Sequence, residues 1–558
     1  MKVGIALSKT LESGMLPVTK LFSQDYFFRV PEYQRPFLWD ADDFTDLIDD
    51  LMGTDQDEPY FLGTLVLHRR AISQYDIVDG QQRLTALCIL LACLRDAPAI
   101  NDQVVFRNEI HEKVIQPERQ LDGIPARNRL EVRDQAVFNS LIGTMDGAAK
   151  PLSDLKDDPS ERRYELARAI FWEKISKMTS EQVKAFAAFV TQKCSLIYLA
   201  TDSFDDAFRL FTVVNDRGKQ LRRIDVLKAH NLDPNAVPND GARIKYASRW
   251  ESMEAQLGEG PFEEVFHLLR LIYVKDKPQA DLYSEFLNRI YAKKELPEPG
   301  SNFLDELTTY VDLYDSLFIA RDYLDAEDGT PDARYHTLME AMVTYFTASE
   351  WKACILSFAK RFDKSDLYAF ALRLEKVYLD LWVRGVRKDE RYGIYTKILR
   401  NIQDSQSPAD AIDAMTPNLK AIEDACRISG FYGAGYAKYL LVRAEIVSSE
   451  LDHPRHFYVR SVEHVLPQNP GQSSAWMDTF TDEERKQLVN TAGNLVLLSK
   501  SKNSSASNKN FGEKKDKYLK PRVSDFPRSM EVLGYNAWTP DVVKERTEQF
   551  AKTVLSDP

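Results

Sequence analysis

Between residues 241 and 440 strand signals almost vanish, and no other feature limits the fold of this chain as strongly. "PFEEVFHLLRLIYV", "DLYSEFLNRIYA", "FLDELTTYVDLYDSLFIARDYL" and "DLYAFALRLEKVYLDLWV" all repeat apolar residues at helical spacing, with Tyr, Phe and Leu in the stripes. Such stripes ordinarily serve as helix-on-helix core. "ELPEPGSN" and "DAEDGTPDA" supply exposed connections. An all-α connector therefore separates whatever lies on either side of it.

On the N-terminal side strand and helix signals alternate. "YFFRV", "YFLGTLVLH", "YDIV" and "CSLIYLA" read as strands, and "RNRLEVRD" as a short one. Asp40 precedes an amphipathic helix carrying Phe44, Leu47, Ile48, Leu51 and Met52. A second helix follows with Leu84, Leu87, Leu91 and Leu94 on one side, and "DDAFRLFTVV" and "RRIDVLKAHNL" are two more, parted by a turn at "NDRG". On the C-terminal side "FYVRSVEHVLPQ" and "NLVLLS" are strand-like. The 558 residues exceed one core, and the reading is a helix-rich α+β chain in three parts, 1–240, 241–440 and 441–558.

Composition narrows the partners. The longest apolar run, "LTALCILLACL", is too short to cross a bilayer, and no signal-peptide pattern opens the chain. Five scattered cysteines without a C-x-x-C pair argue against a zinc site or disulfide framework and fit a cytoplasmic protein. With a net charge of −12, a nucleic-acid partner would need a local basic patch. Ser499 to Lys520 is the clearest such segment, with seven lysines against Glu513 and Asp516.

Two constellations carry chemistry. In "DIVDGQQRLT" (76–85) five polar residues sit between a strand end and a helix start. The chain has no G-x-x-x-x-G-K-[ST] loop, so a triphosphate would need other donors. Arg83 and Arg35 offer planar forks for phosphate oxygens. Gly80 permits close backbone approach, and the helix beginning near Gln81 turns its positive dipole end to an anion. Asp79 could hold magnesium or position water, and Gln81 or Gln82 could orient water or a phosphate. The competing reading is a polar cap satisfied by its own hydrogen bonds. In "PEYQRPFLW", Tyr33, Gln34 and Arg35 either complete that pocket or touch DNA, while Trp39 reads as core. Asn215 and Gly218 fit a turn, and Arg217 and Lys219 could reach phosphate.

Near the C-terminus, Glu463 and His464 adjoin at a strand end, Pro467 follows, and "GNLVLLSKSKN" places Asn494 and Asn503 nine residues apart. This order resembles the HNH (ββα-metal) nuclease arrangement. A neutral imidazole suits His464 as base for an attacking water. Magnesium or manganese would take Glu463 and Asn503, since it prefers oxygen ligands and keeps several waters. The resemblance gives Asn494 the task of orienting the imidazole, and Lys500, Lys502, Lys509 and Lys514 would hold DNA phosphates. His453 and His456 read as structural.

Taken in order, "VPEYQRPFLW", "YFLGTLVL", "IVDGQQRLTAL" and "LFTVVNDRGKQLRRIDVLK" closely resemble the N-terminal domain of GmrSD-type restriction proteins, and "EHVLPQ…GNLVLLSKSKN…NFGEKK" resembles the HNH domain fused to it. The resemblance covers about residues 15–235 and 440–525. It implies a ParB/sulfiredoxin-like nucleotide-binding core, a ββα-metal nuclease domain and a type IV, modification-dependent restriction enzyme of anti-phage defence. SspE-like relatives, which respond to phosphorothioate, are included. The implied partners are double-stranded phage or host DNA carrying a modification, and GTP or ATP. No membrane partner is expected, and a homo-oligomer stays open. Alternatives are a nucleotide-switched DNA-binding protein with a non-catalytic HNH domain, or an RNA-directed nuclease toxin.

Overall fold

A computed structural model describes residues 11–122, 125–133, 135–152, 159–203, 206–207, 210, 222–472, 474–499, 509–520 and 526–558. The chain divides into two compact units, Met1–Trp250 and Glu251–Pro558. The connector helices and the C-terminal strands thus share one unit.

The first unit is built on a six-stranded mixed sheet in the order β1-β8-β3-β4-β2-β7. Its strands are β1 (Glu12–Pro17), β2 (Phe27–Arg29), β3 (Tyr60–Ala71), β4 (Gln74–Asp79), β7 (Leu130–Glu131) and β8 (Cys194–Thr201). A separate antiparallel pair is made by β5 (Ile115–Gln116) and β6 (Arg127–Asn128). "RNRLEVRD" is therefore split between two sheets rather than forming one strand. β3 runs antiparallel to β4 and parallel to β8, and β2 lies parallel to β4.

Asp40 caps the helix Ala41–Gly53 by accepting from the Asp42 and Asp43 amides, and Phe44, Ile48 and Leu51 face inward. The helix Gln81–Arg95 differs from its one-sided expectation. From Leu84 to Arg95 every residue is buried, because the helices Val104–Val114 and Pro159–Ile175 pack on it as well as the sheet. Arg95 at its end is fully buried, paired with Asp96 at 2.7 Å and donating to the carbonyls of Leu141, Ile142 and Thr144. That satisfies a buried charge and ties the end of the helix Gln135–Ile142 and its following turn to this helix end. The helix expected at "DDAFRLFTVV" and the turn with Asn215, Arg217, Gly218 and Lys219 lie outside the described residues, apart from a few positions before 211.

The second unit is mostly helical. Its described helices include Glu259–Val274, Ser301–Tyr314, Ala333–Tyr345, Glu350–Phe362, Leu367–Val383 and Lys388–Asp404, where the aromatic stripes meet one another as the periodicity predicts. Two strands, β9 (Ser461–His464) and β10 (Leu495–Leu498), pair antiparallel with His464 opposite Leu495. Leu495 and Leu497 join a core with Leu440, Ile446, Phe550 and Val554, whereas Val496 and Leu498 join another with Trp476, Phe480 and Trp538. β10 is thus buried on both faces, and β9 at its Glu463–His464 end. Among the described residues no helix is long and apolar enough to cross a membrane, and all five cysteines are buried free thiols.

Candidate functional site

Strand β4 ends at Asp79, and the chain turns into its helix through Gly80 at φ +94°. The left-handed backbone there favours glycine, and a Cβ would also press to 2.8 Å on Leu65 Cδ1. The two glutamines that follow reach back to the segment 35–39. Gln81 Nε2 donates to the Arg35 carbonyl at 2.9 Å. Gln82 Nε2 donates to the Pro36 carbonyl at 3.0 Å, while its Oε1 accepts from the Leu38 and Trp39 amides at 2.8 and 3.1 Å. Gln34 Nε2 completes the lacing, donating to the carbonyls of Ile77 and Val78.

These contacts correct the sequence expectation. Gln81 and Gln82 commit their amides to backbone, so their contribution is to fix the 35–39 segment against the strand end. Tyr33 and Gln34, read as nucleotide or DNA contacts, are only 7% and 8% exposed. Trp39 packs edge-on against Phe44, as the core reading has it.

What is left for a ligand is charge. Arg83 donates from Nη1 to the Thr64 carbonyl at 3.2 Å, and its guanidinium lies over Gly63, where a Cβ would stand 2.9 Å from Nη1. Gly63 (φ +109°) is thus a flat floor for the arginine. Burial lifts the Asp79 carboxyl above its usual range, opposed by the Gly80 amide and the Arg83 charge. Burial likewise pulls Arg83 down, opposed by Asp79 and Tyr60. Arg35 pairs with Asp225 on the helix Arg223–Asn231, and Asp225 also accepts from the Arg222 amide at 3.1 Å. The Arg35 Nε is buried with no hydrogen-bond partner among the described residues. Nothing in the sequence marks Asp225 out: an acid in the first turn of "RRIDVLK" looks like an ordinary helix-end charge.

In the second unit, β9 places Glu463 and His464 on opposite faces, at 1% and 3% exposure. Glu463 pairs with Lys514 at 2.9 Å, and the Lys514 ammonium also donates to the His464 and Val465 carbonyls. Lys514 is fully buried, so its expected place on DNA is overturned: it is an internal counter-charge that pins the strand end. Lys509 is partly exposed and pairs with Glu513 at 2.9 Å. Asn503, Lys500 and Lys502 lie outside the described residues.

Asn494 has a different task from the one expected. Its Nδ2 donates to the carbonyls of Leu466 and Val489, and its Oδ1 accepts from the Leu466 amide and Trp538 Nε1. Two of the four bonds clamp Leu466 in the turn after His464, the other two tie Asn494 to Val489 and Trp538, and none goes to the imidazole. The imidazole is met instead by Asn490, whose Oδ1 lies 3.0 Å from His464 Nε2 and also accepts from Gln468 Nε2 at 3.0 Å. The edge of the Tyr432 ring packs on the imidazole at 4.4 Å between centroids, and the Tyr432 amide donates to the Asn490 carbonyl. With Asn490 presenting an oxygen, Nε2 carries the proton and Nδ1 is the acceptor nitrogen of the neutral ring.

A divalent cation fits the described donors only in part. Glu463 is one carboxylate, already neutralised by Lys514, and no group of three or more His, Cys, Asp or Glu among the described residues could hold a metal.

Both ends of the chain match known family models. Residues 18–232 match the N-terminal domain of GmrSD restriction endonuclease, and residues 416–553 match the C-terminal domain of GmrSD restriction endonucleases. No curated protein matches the chain. The two matches together span more than half of the sequence, in the order of the two constellations, and the chain belongs to the GmrSD restriction endonuclease family.

Proposed function

We propose that this protein is a defence endonuclease that hydrolyses DNA phosphodiesters at the β9–β10 hairpin, gated by nucleoside triphosphate and DNA modification at its first unit. The observation that carries the proposal is the His464 imidazole held at Nε2 by Asn490. That contact would leave Nδ1 to take the proton of an attacking water. Asn494 and Lys514 hold the backbone from His464 to Leu466, so the orientation of the base does not depend on its own side chain alone. A divalent cation, when bound, would neutralise charge on the phosphate.

At the first unit Arg83 and Arg35 would hold triphosphate oxygens, with Asp79 beside them as the acidic partner. The polar lacing of Gln34, Gln81 and Gln82 holds the segment that carries Arg35 against the strand end and the start of the helix that carries Arg83. Nucleotide and modified DNA together would control cutting.

The test is a plasmid-nicking assay with magnesium or manganese, with and without nucleotide, on plain and modified DNA. His464→Ala is expected to lose nicking by at least about 100-fold, the usual worth of a general base. Undiminished nicking by His464→Ala would remove the assignment. A second reading, a nucleotide-switched DNA-binding protein with a non-catalytic hairpin, draws on the Lys514 ammonium seated on Glu463. Wild-type protein that binds DNA but never nicks it under any of these conditions would favour that reading.

A further inference from the structure

At the opposite end of the sheet from Asp79, three arginines gather without anionic partners. Phe27 opens β2 opposite Gln74, the first residue of the parallel strand β4. Asp79 lies five residues further along β4, about 17 Å away at strand rise. The Arg127 guanidinium stands 3.1 Å from the Phe27 ring centroid, and that of Arg129 stands 5.5 Å away. Arg129 is 95% buried by its 5% exposure; its Nε donates to the Glu112 carbonyl, but its Nη1 is buried with no hydrogen-bond partner. Arg127 Nε is likewise buried without a partner. Arg119 stands beside them, donating to Gln24 Oε1 at 3.3 Å. Among the described residues none of the three makes an ion pair.

This arrangement is costly as it stands. Burial and the charges of Arg119 and Arg127 both push the Arg129 guanidinium down from its ordinary range, and the Glu112 and Asp25 carboxylates offset this only from a distance. A chain of net charge −12 has carboxylates in plenty, yet none is paired here. Aromatic support and an unspent planar fork are what an oxyanion seat needs.

We infer that Arg119, Arg127 and Arg129 form a second oxyanion seat, separate from the Asp79–Arg83 site, that takes backbone phosphates of the DNA substrate. This rests on DNA being the substrate but not on His464 chemistry, because binding rather than cleavage is read. DNA is favoured over a free nucleotide because Arg127 and Arg129 directly precede β7, the edge strand of the sheet, and Arg119 beside them is exposed, so an extended backbone can reach the cluster from outside.

The experiment uses the full chain carrying His464→Ala and a fluorescent duplex, with affinity measured by anisotropy across a salt series. Arg119→Gln with Arg127→Gln is expected to weaken binding roughly ten-fold and to lower the slope of log K against log salt by about 2, the worth of two phosphate contacts. Arg127→Lys alone keeps the charge and should restore the slope while losing part of the affinity. Thermal unfolding of the double variant should be unchanged or higher, since it removes unpaired positive charge. An unchanged salt slope overturns the inference, as does failure of the parent chain to bind duplex. Loss of pyrophosphate or triphosphate binding with unaltered duplex binding also overturns it, by making the seat one for small phosphates.

Discussion

Asn490 and His464 are 26 residues apart, and in the proposed reaction the hydrogen bond between them assigns Nε2 to Asn490 and the base role to Nδ1. Asn490→Ala leaves the ring free to turn and should lower nicking by about 10- to 100-fold, the usual effect of removing a partner that orients an active imidazole. Asn490→Asp keeps the acceptor but adds a negative charge, which stabilises the imidazolium. The base then stays protonated to higher pH, so the acidic limb of the pH–rate profile should move upward. A profile unmoved in Asn490→Asp would show that Asn490 does not act through the ring. Asp79 makes a second residue-scale prediction. Burial raises its folded pKa, so the folded chain holds that proton more tightly than the unfolded one. The stability it contributes therefore falls as pH rises from about 4, the unfolded value, through the raised folded value. At pH 7 Asp79→Asn should melt higher than the parent, with the gain vanishing in melts below about pH 4. An Asp79→Asn variant no more stable at pH 7 would refute this, and its expected loss of nucleotide binding makes Asp79 a residue kept at a cost to stability.

At the scale of elements, the sequence was readable wherever one residue type had one use. β3, β4 and β8 show β-branched and aromatic runs, and the connector helices show their stripes. β1 carries no local strand signal because "ESGMLP" contains Ser, Gly and Pro, residues poor in strands. It is a strand because Glu12 to Pro17 find Ala200 to Ser195 of β8 as partners, and a pairing partner cannot be read from the strand itself. Leucine spacing in the central helix marks one apolar side, but its other faces carry Ala86, Cys88, Ile89, Ala92 and Cys93, smaller residues that are equally buried. The same divide runs through the candidate sites. Gly80 and Arg83 were legible because a turn and a charge announce themselves locally. The glutamines were not, since their partners return from residues 34–39. Asn494 stood at the expected spacing, yet the chain between β9 and β10 brings Asn490 to the imidazole. Sequence spacing reports the order of residues, whereas the turn decides which amide faces inward.

At the scale of the whole molecule, two compact units with separate cores should unfold as two steps rather than one. The Asp79–Arg83 site lies wholly within Met1–Trp250 and the His464 site within Glu251–Pro558, so each step can be assigned by a change confined to one unit. Gly493 supplies the marker for the second: a Cβ there would lie 2.2 Å from the Val543 carbonyl and 2.5 Å from Thr547 Oγ1, on the helix Pro540–Leu555. Gly493→Ala should cost that unit about 1–3 kcal/mol, the usual penalty of overpacking. Scanning calorimetry of the full chain is then expected to show two transitions, of which Gly493→Ala lowers one. Nucleoside triphosphate at about 100 times its Kd should stabilise the other by about 2.7 kcal/mol. Arg83→Ala should abolish that shift, and His464→Ala should leave it intact. A nucleotide shift that follows the transition marked by Gly493→Ala would place the nucleotide in the wrong unit. A shift that survives Arg83→Ala would remove the arginine from the site.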